Sequence, residues 1–150
     1  MIKTIAPACA ALLAVSTLTL LPACQSPGAA PTPLAFSSDA ATDLPGAVAR
    51  AEREGKVVVA IATADWCPPC QAYKRNALAD ADVNAWLDAN AVALNLDVTD
   101  AESAPPAAST LGVRSIPATY VVSADGRVLA SRVGALSAPE LIDFLESATN

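Results

Sequence analysis

The sequence predicts one α/β domain with a central mixed β-sheet flanked by helices. Three observations lead there. Residues 57–62 are an apolar run rich in β-branched side chains that reads as a strand buried on two faces, and residues 91–96 read as a second strand. Segments with helical start and stop signals lie before, between and after them. Two further strand-like runs are joined by a turn holding Asp125-Gly126, which makes an antiparallel hairpin. A chain of 150 residues that is 53% apolar has material for one core of ordinary size and not for two.

In chain order, residues 45–54 fit a helix with Pro45 at its start and Gly55 as its stop. The strand over 57–62 follows. A helix is expected from Pro68 to about Ala79. Asp82 is positioned to cap another, in which Val83, Trp86 and Leu87 make an apolar face at i, i+3, i+4 spacing. After the strand over 91–96, residues 101–111 read as a helix whose first turn takes Pro105 and Pro106, closed by Gly112. Strands over 118–123 and 127–133 form the hairpin. The last helix is announced by the capping box Ser137-Ala-Pro-Glu140, by a Leu136/Leu141 hydrophobic staple and by an inward stripe of Leu141, Phe144 and Leu145.

The N-terminus is a different kind of sequence. Lys3 is the sole charge before Asp39, and an apolar stretch runs from Ile5 to Leu21. A positive start, an apolar middle and a small residue before a break form a secretory signal. The competing reading, a transmembrane anchor, would need roughly 20 apolar residues and a positive flank after them. The break, Leu21-Pro22-Ala23-Cys24, resembles the bacterial lipobox, with Pro22 departing from the usual residue at its position. The resemblance implies that residues 1–23 are removed and that Cys24 is acylated. Residues 24–43, with Pro27, Pro31 and Pro33 among Ala, Ser and Thr, read as a linker. The folded domain is then 44–150, with Leu34 and Phe36 as an earlier possible start.

Composition excludes several functions. Net charge is −6 with a pI of about 4.4, which argues against nucleic-acid binding. No histidine is present, so Ser-His-Asp and Cys-His catalysis and His-ligated zinc are excluded. Of four cysteines, Cys9 lies in the signal and Cys24 is the lipidation candidate, leaving Cys67 and Cys70 as the only thiol pair. That is no disulfide framework.

The pair lies in Trp66-Cys67-Pro68-Pro69-Cys70, after the first buried strand and at the start of a helix. Free N–H groups and the helix dipole favour a thiolate at Cys67. Only the thiolate attacks a disulfide. Cys70, one turn on and more buried, can resolve a mixed disulfide formed on Cys67.

Ala64-Asp65-Trp66-Cys67 resembles the active-site entrance of periplasmic thioredoxin-like domains, such as the terminal domain of membrane electron-transporting disulfide reductases. The segment from Leu111 to Thr119, with Ile116-Pro117-Ala118-Thr119, is similar to the thioredoxin stretch that carries the cis-proline. Lys56 and the Asp125-Gly126 hairpin also fit, and the resemblance spans about residues 36–148. It implies a thioredoxin fold, a cis-proline at Pro117 beside the cysteines, and substrate contacts from Trp66, Ile116 and Pro117. Two positions depart from the family. A buried acid often stands where this chain has Ile61, and related reductase domains carry an acid where it has Lys74. The usual acceptor for the Cys70 proton is therefore missing, and water or the substrate's own groups stand in.

The resulting expectation is a lipid-anchored thiol–disulfide oxidoreductase of the cell envelope, facing the periplasm. It would reduce protein disulfides with electrons from a membrane donor, and without a cofactor or resident metal. Gln25 after the acylated cysteine, rather than Asp, favours the outer membrane where the source has one. Three competing readings are a static disulfide, a Cu(I) site on the two thiolates, and a redox-inert binding module on the same fold. Tyr73, Tyr120 and Trp86 read as packing residues.

Overall fold

The structure is a computed structural model that describes residues 43–150. The signal segment, Cys24, the linker before Asp43, and Leu34 and Phe36 lie outside the described residues. Helix α1 spans Leu44–Glu54, strand β1 Val57–Thr63 and helix α2 Pro68–Arg75. A 3-10 turn over Ala77–Ala79 leads to helix α3, Ala81–Asn90, and strand β2, Ala91–Asp97. Helix α4, Pro106–Thr110, precedes the hairpin strands β3, Ala118–Val122, and β4, Val128–Val133. Helix α5, Ala138–Thr149, ends the fold.

The four strands form one sheet in the order β2-β1-β3-β4. Strand β1 pairs parallel with β2, from Val57 opposite Ala91 to Thr63 opposite Asp97. It pairs antiparallel with β3, where Ile61 faces Thr119. The sheet is mixed, as the apolar runs and the hairpin predict. Six of the seven β1 residues are buried, because helices cover both faces. On one face Val59 and Ile61 pack with Tyr73 of α2, Val83 and Leu87 of α3, and Leu141 and Leu145 of α5. On the other, Val58, Ala60 and Ala62 pack with Leu44, Ala47 and Ala51 of α1 and with Ala107 of α4. Strand β4 is an exposed edge, with Val128, Leu129 and Val133 largely in solvent.

Local signals account for most boundaries. The Asp43 carboxylate accepts from the Gly46 amide at the start of α1. Gly55 closes that helix with φ +66°, a left-handed conformation that glycine adopts without steric cost. At α5 the Glu140 carboxylate accepts from both the amide and the hydroxyl of Ser137. Leu136 packs against the core that buries Leu141, completing the staple. Those bonds hold the Glu140 carboxyl below its ordinary value.

Three sequence expectations need correction. The cap of α3 is Asp80, not Asp82. Asp80 Oδ1 accepts from the amides of Asp82 and Val83, and Asp82 lies in the first turn, where its charge suits the helix dipole. The helix expected from Pro68 to Ala79 breaks at Asn76 (φ −102°, ψ −85°) and resumes as the 3-10 turn that buries Ala77 and Leu78. The helix expected over 101–111 is only Pro106–Thr110. Pro105 supplies its cap position in extended backbone, and a residue before a proline disfavours the helical region, so helix cannot extend back through Pro105 and Pro106.

Leu141 is fully buried and joins α5 to the core shared by β1, α2 and α3. Leu141→Ala should cost about 2–5 kcal/mol. Ser137→Ala should cost about 1 kcal/mol, as cap losses typically do. Thermal or urea unfolding of the two variants tests that ranking, and a Leu141→Ala loss below the Ser137→Ala loss would contradict the packing described.

Candidate active site

The chain leaves β1 at Thr63 and enters α2 at Pro68, so four residues make the turn that presents the cysteines. Cys67 is the N-cap of α2, with extended backbone (φ −98°, ψ 102°), and Pro68 and Pro69 occupy its first helical positions. Prolines fit there because their missing N–H groups would have no helical partner. The first amide free to bond is that of Cys70, and it donates to Cys67 Sγ at 3.2 Å. Cys67 and Cys70 are joined as a disulfide with an S–S distance of 2.04 Å. Both are buried, Cys67 at 4% exposure and Cys70 at 0%. They pack with Ala64, Val98 and Ile116.

Of the predicted site residues outside the turn, Ile116 reaches the cysteine pair. The Ile116–Pro117 peptide bond is cis. Ile116 lies against the cysteine pair, and Pro117 is buried at the start of β3, its carbonyl accepting from the Gly134 amide. Trp66 is 65% exposed beside Cys67, and its indole N–H donates to the Thr99 carbonyl at 2.9 Å.

That last bond belongs to a clasp that sequence reasoning missed. The Asp65 amide donates to Thr99 Oγ1 at 2.8 Å, and the Thr99 amide donates to Asp97 Oδ1 at 2.8 Å. The Thr99 hydrogen bonds, with a smaller contribution from Lys74, hold the Asp97 carboxyl below its ordinary value. The loop after β2 thus holds the turn before Cys67. From the other side, the Gln71 amide nitrogen donates to the carbonyls of Ala64 and Asp65. The one sequence signal for the clasp is Asp97-Val-Thr99, an acid two residues before an amide it can accept, which is common in turns.

Charge near the cysteines is modest. Lys74, where related domains carry an acid, lies 3.7 Å from the exposed Asp65 carboxylate. Ile61, where thioredoxins often carry a buried acid, packs in the core. Hydroxyls are the buried polar groups on that side of the sheet. The Tyr73 hydroxyl and Thr119 Oγ1 are 3.0 Å apart. Burial raises the Tyr73 phenol to about 12, against a smaller lowering by the Thr119 bond. Thr63 is equally buried, and its Oγ1 has no hydrogen-bond partner among the described residues. No group of three or more His, Cys, Asp or Glu side chains among the described residues could hold a metal.

A cysteine disulfide at a helix N-terminus, the first residue of a cis Ile116–Pro117 bond packed against it, and a mixed sheet between two helical layers define the class. The chain belongs to the thioredoxin-like domain family, whose model matches residues 44–149. Among solved structures it is similar to the C-terminal domain of Neisseria meningitidis DsbD in the oxidised form, with 27% identity and a TM-score of 0.59. That match covers 72% of this chain and 99% of the other. A thioredoxin from Thermus thermophilus matches with 22% identity and a TM-score of 0.61, covering 75% and 88%. A disulphide isomerase from Xylella fastidiosa Temecula1 matches with 23% identity and a TM-score of 0.58, covering 71% and 88%. These last two likenesses show the fold alone. No curated protein matches the chain in sequence.

The Tyr73 phenol gives a titration to follow. Its folded value of about 12 lies above the ordinary 10, so its contribution to stability is complete below pH 10 and is lost as pH rises through 12. Denaturant unfolding between pH 9 and pH 12, at about one-unit steps, should show this loss, and Tyr73→Phe should remove it. The same variant should cost about 1–3 kcal/mol at neutral pH, because it leaves Thr119 Oγ1 buried without its partner. An unchanged alkaline profile would show that Tyr73 is not the group responsible.

Proposed function

We propose that this protein is a membrane-tethered thiol–disulfide oxidoreductase of the bacterial cell envelope that reduces protein disulfides. The observation that carries the reading is the Cys67–Cys70 disulfide at the α2 N-terminus, with Ile116 of the cis Ile116–Pro117 bond packed against it.

In the reduced protein the Cys67 thiolate attacks one sulfur of a substrate disulfide. A Cys67–substrate S–S bond forms, and the other substrate sulfur leaves as a thiolate and takes up a proton. Cys70 then gives up its proton and attacks Cys67 Sγ, and the second substrate sulfur leaves with the electron pair. Two electrons have passed to the substrate, and the cysteines are left as the disulfide described above. Cys67 acts first because it caps the helix, where the Cys70 amide points at its sulfur. Cys70, with no exposed surface, can only reach a sulfur carried in on Cys67. The exposed Trp66 ring and the Ile116 backbone supply the surface for a substrate chain. The Cys70 proton passes to water or to the leaving substrate thiolate, since Ile61 and Lys74 replace the family's acids.

A reducing direction is supported by the motif. A strong oxidant needs a strongly stabilised thiolate. Here both residues between the cysteines lack an N–H, no histidine adds positive charge, and the Asp65 carboxylate adds negative charge. Its pairing with Lys74 is too exposed to cancel that effect. The potential should lie nearer about −270 mV than about −120 mV. The protein would then draw electrons from a membrane donor. A lipid on Cys24 would hold it at the membrane, and the residues before Asp43 would act as the tether.

Equilibration with glutathione buffers measures the potential, and a value above about −180 mV would reverse the direction from reductase to oxidase or isomerase. Cys70→Ser should accumulate mixed disulfides with envelope proteins, whereas Cys67→Ser should trap none. Equal trapping by both variants would remove the division of labour. Copper(I) binding without insulin reduction would favour the metal-handling alternative.

Location has its own experiment. Cys24→Ser should move the protein from the membrane fraction to a soluble or unprocessed form. Fractionation unchanged by the substitution would refute the lipid anchor.

A further inference from the structure

Among the described residues, Thr63 Oγ1 is the one buried side-chain polar atom without a hydrogen-bond partner. Its place in the fold says what it faces. Side chains alternate along a strand, so Thr63 shares the face of Val59 and Ile61, which lies under α2, α3 and α5. Ala60 and Ala62 belong to the opposite face. Tyr73 reaches across this layer to Thr119, and Thr119 is the cross-strand partner of Ile61. Cys70 lies three residues before Tyr73, about 4.5 Å nearer the start of α2. Thr63 lies two residues beyond Ile61, about 6.6 Å further along β1 towards the same end. Cys70 clusters with Ala64, the residue after Thr63, and Val98, whose amide bonds the Thr63 carbonyl at 2.9 Å, packs against that cluster, so the end of β1 that carries Thr63 lies beside Cys70.

From this we infer that Thr63 is a redox-linked positioning residue: its hydroxyl gains Cys70 Sγ as a hydrogen-bond partner when the disulfide opens. The inference rests on the reading of Cys67 and Cys70 as a working redox pair. In the disulfide, Cys70 Sγ carries no hydrogen to donate and is a weak acceptor. Reduction adds two electrons and breaks the S–S bond. Cys70 is then a thiol that can donate to Thr63 Oγ1, or a thiolate that can accept from it. The hydroxyl is buried without a partner in the oxidised form and partnered in the reduced one, and both facts favour reduction. Thr63 would thus stabilise the resolving sulfur from the strand face on which Ile61 offers no polar group.

The test is the glutathione equilibrium of the wild type, Thr63→Val and Thr63→Ser, together with thermal unfolding of each in both redox states. Valine keeps the shape and removes the hydroxyl. Thr63→Val should shift the equilibrium about tenfold towards the disulfide, which for a two-electron couple is about 30 mV more negative. Its oxidised form should be at least as stable as the wild type, because no bond is lost there, while its reduced form should be less stable. Thr63→Ser should keep the wild-type equilibrium. An unmoved Thr63→Val equilibrium, or a Thr63→Ser shift as large as that of Thr63→Val, would overturn the inference. So would an oxidised Thr63→Val less stable than the wild type, since Thr63 would then have a partner, such as a buried water, in the disulfide state. A wild type that fails to equilibrate with glutathione would instead sink the proposed function, and this inference with it.

Discussion

The backbone pairing of β1 with β2 on one side and β3 on the other is the constraint on which the rest of the domain depends. A strand paired on both edges and covered on both faces has no surface left for water. Each position must then be apolar or carry a polar group matched inside the protein. Val58 to Ala62 meet that condition with hydrocarbon alone. Thr63, at the last position, does not, and it is also the last residue before the turn to the cysteines. The tolerance for an unmatched hydroxyl therefore appears where the strand ends and the chemistry begins.

The site is assembled from three chain segments that the sheet brings together. The turn after β1 supplies Trp66 and Cys67, the loop after β2 supplies Thr99, and the approach to β3 supplies Ile116 and Pro117. Because β2 and β3 are the two neighbours of β1, their ends must lie beside the end of β1. Thr99 bonds both the Asp65 amide and the Trp66 indole, so it fixes the turn through two unrelated groups. The residue after the edge strand β4, Gly134, bonds the Pro117 carbonyl through its amide.

Electrostatics at this site are weaker than its burial would permit. A buried acid on the β1 face under α2 would bring a strongly shifted carboxyl. Ile61 forgoes that, and the polar groups left on that face are hydroxyls, which ionise far from neutral pH. Lys74 and Asp65 form an exposed pair that contributes little. Thiolate stabilisation is thus left to the helix N-terminus and the single Cys70 amide.

Much of this was legible in the sequence, because the signals concerned are local. The β-branched run before Trp66-Cys67-Pro68-Pro69-Cys70 announces a buried strand leading into a helix whose prolines fit only its first turn. Ser137, Glu140, Leu136 and Leu141 announce the last helix in the same way. Local signals also had limits: the sequence pointed to Asp82 as the cap of α3, whereas Asp80, two residues earlier, takes the amides of Asp82 and Val83. The residues of the clasp and the hydroxyl layer could not be read at all. Asp65 and Thr99, and Tyr73 and Thr119, are separated by spans of chain that only strand register closes. The sequence by itself determined the elements, the cysteine pair and its place at a helix start, because each follows from neighbouring residues and backbone preferences. The tertiary structure decided which distant hydroxyl meets which partner, because that depends on how one strand slides against the next.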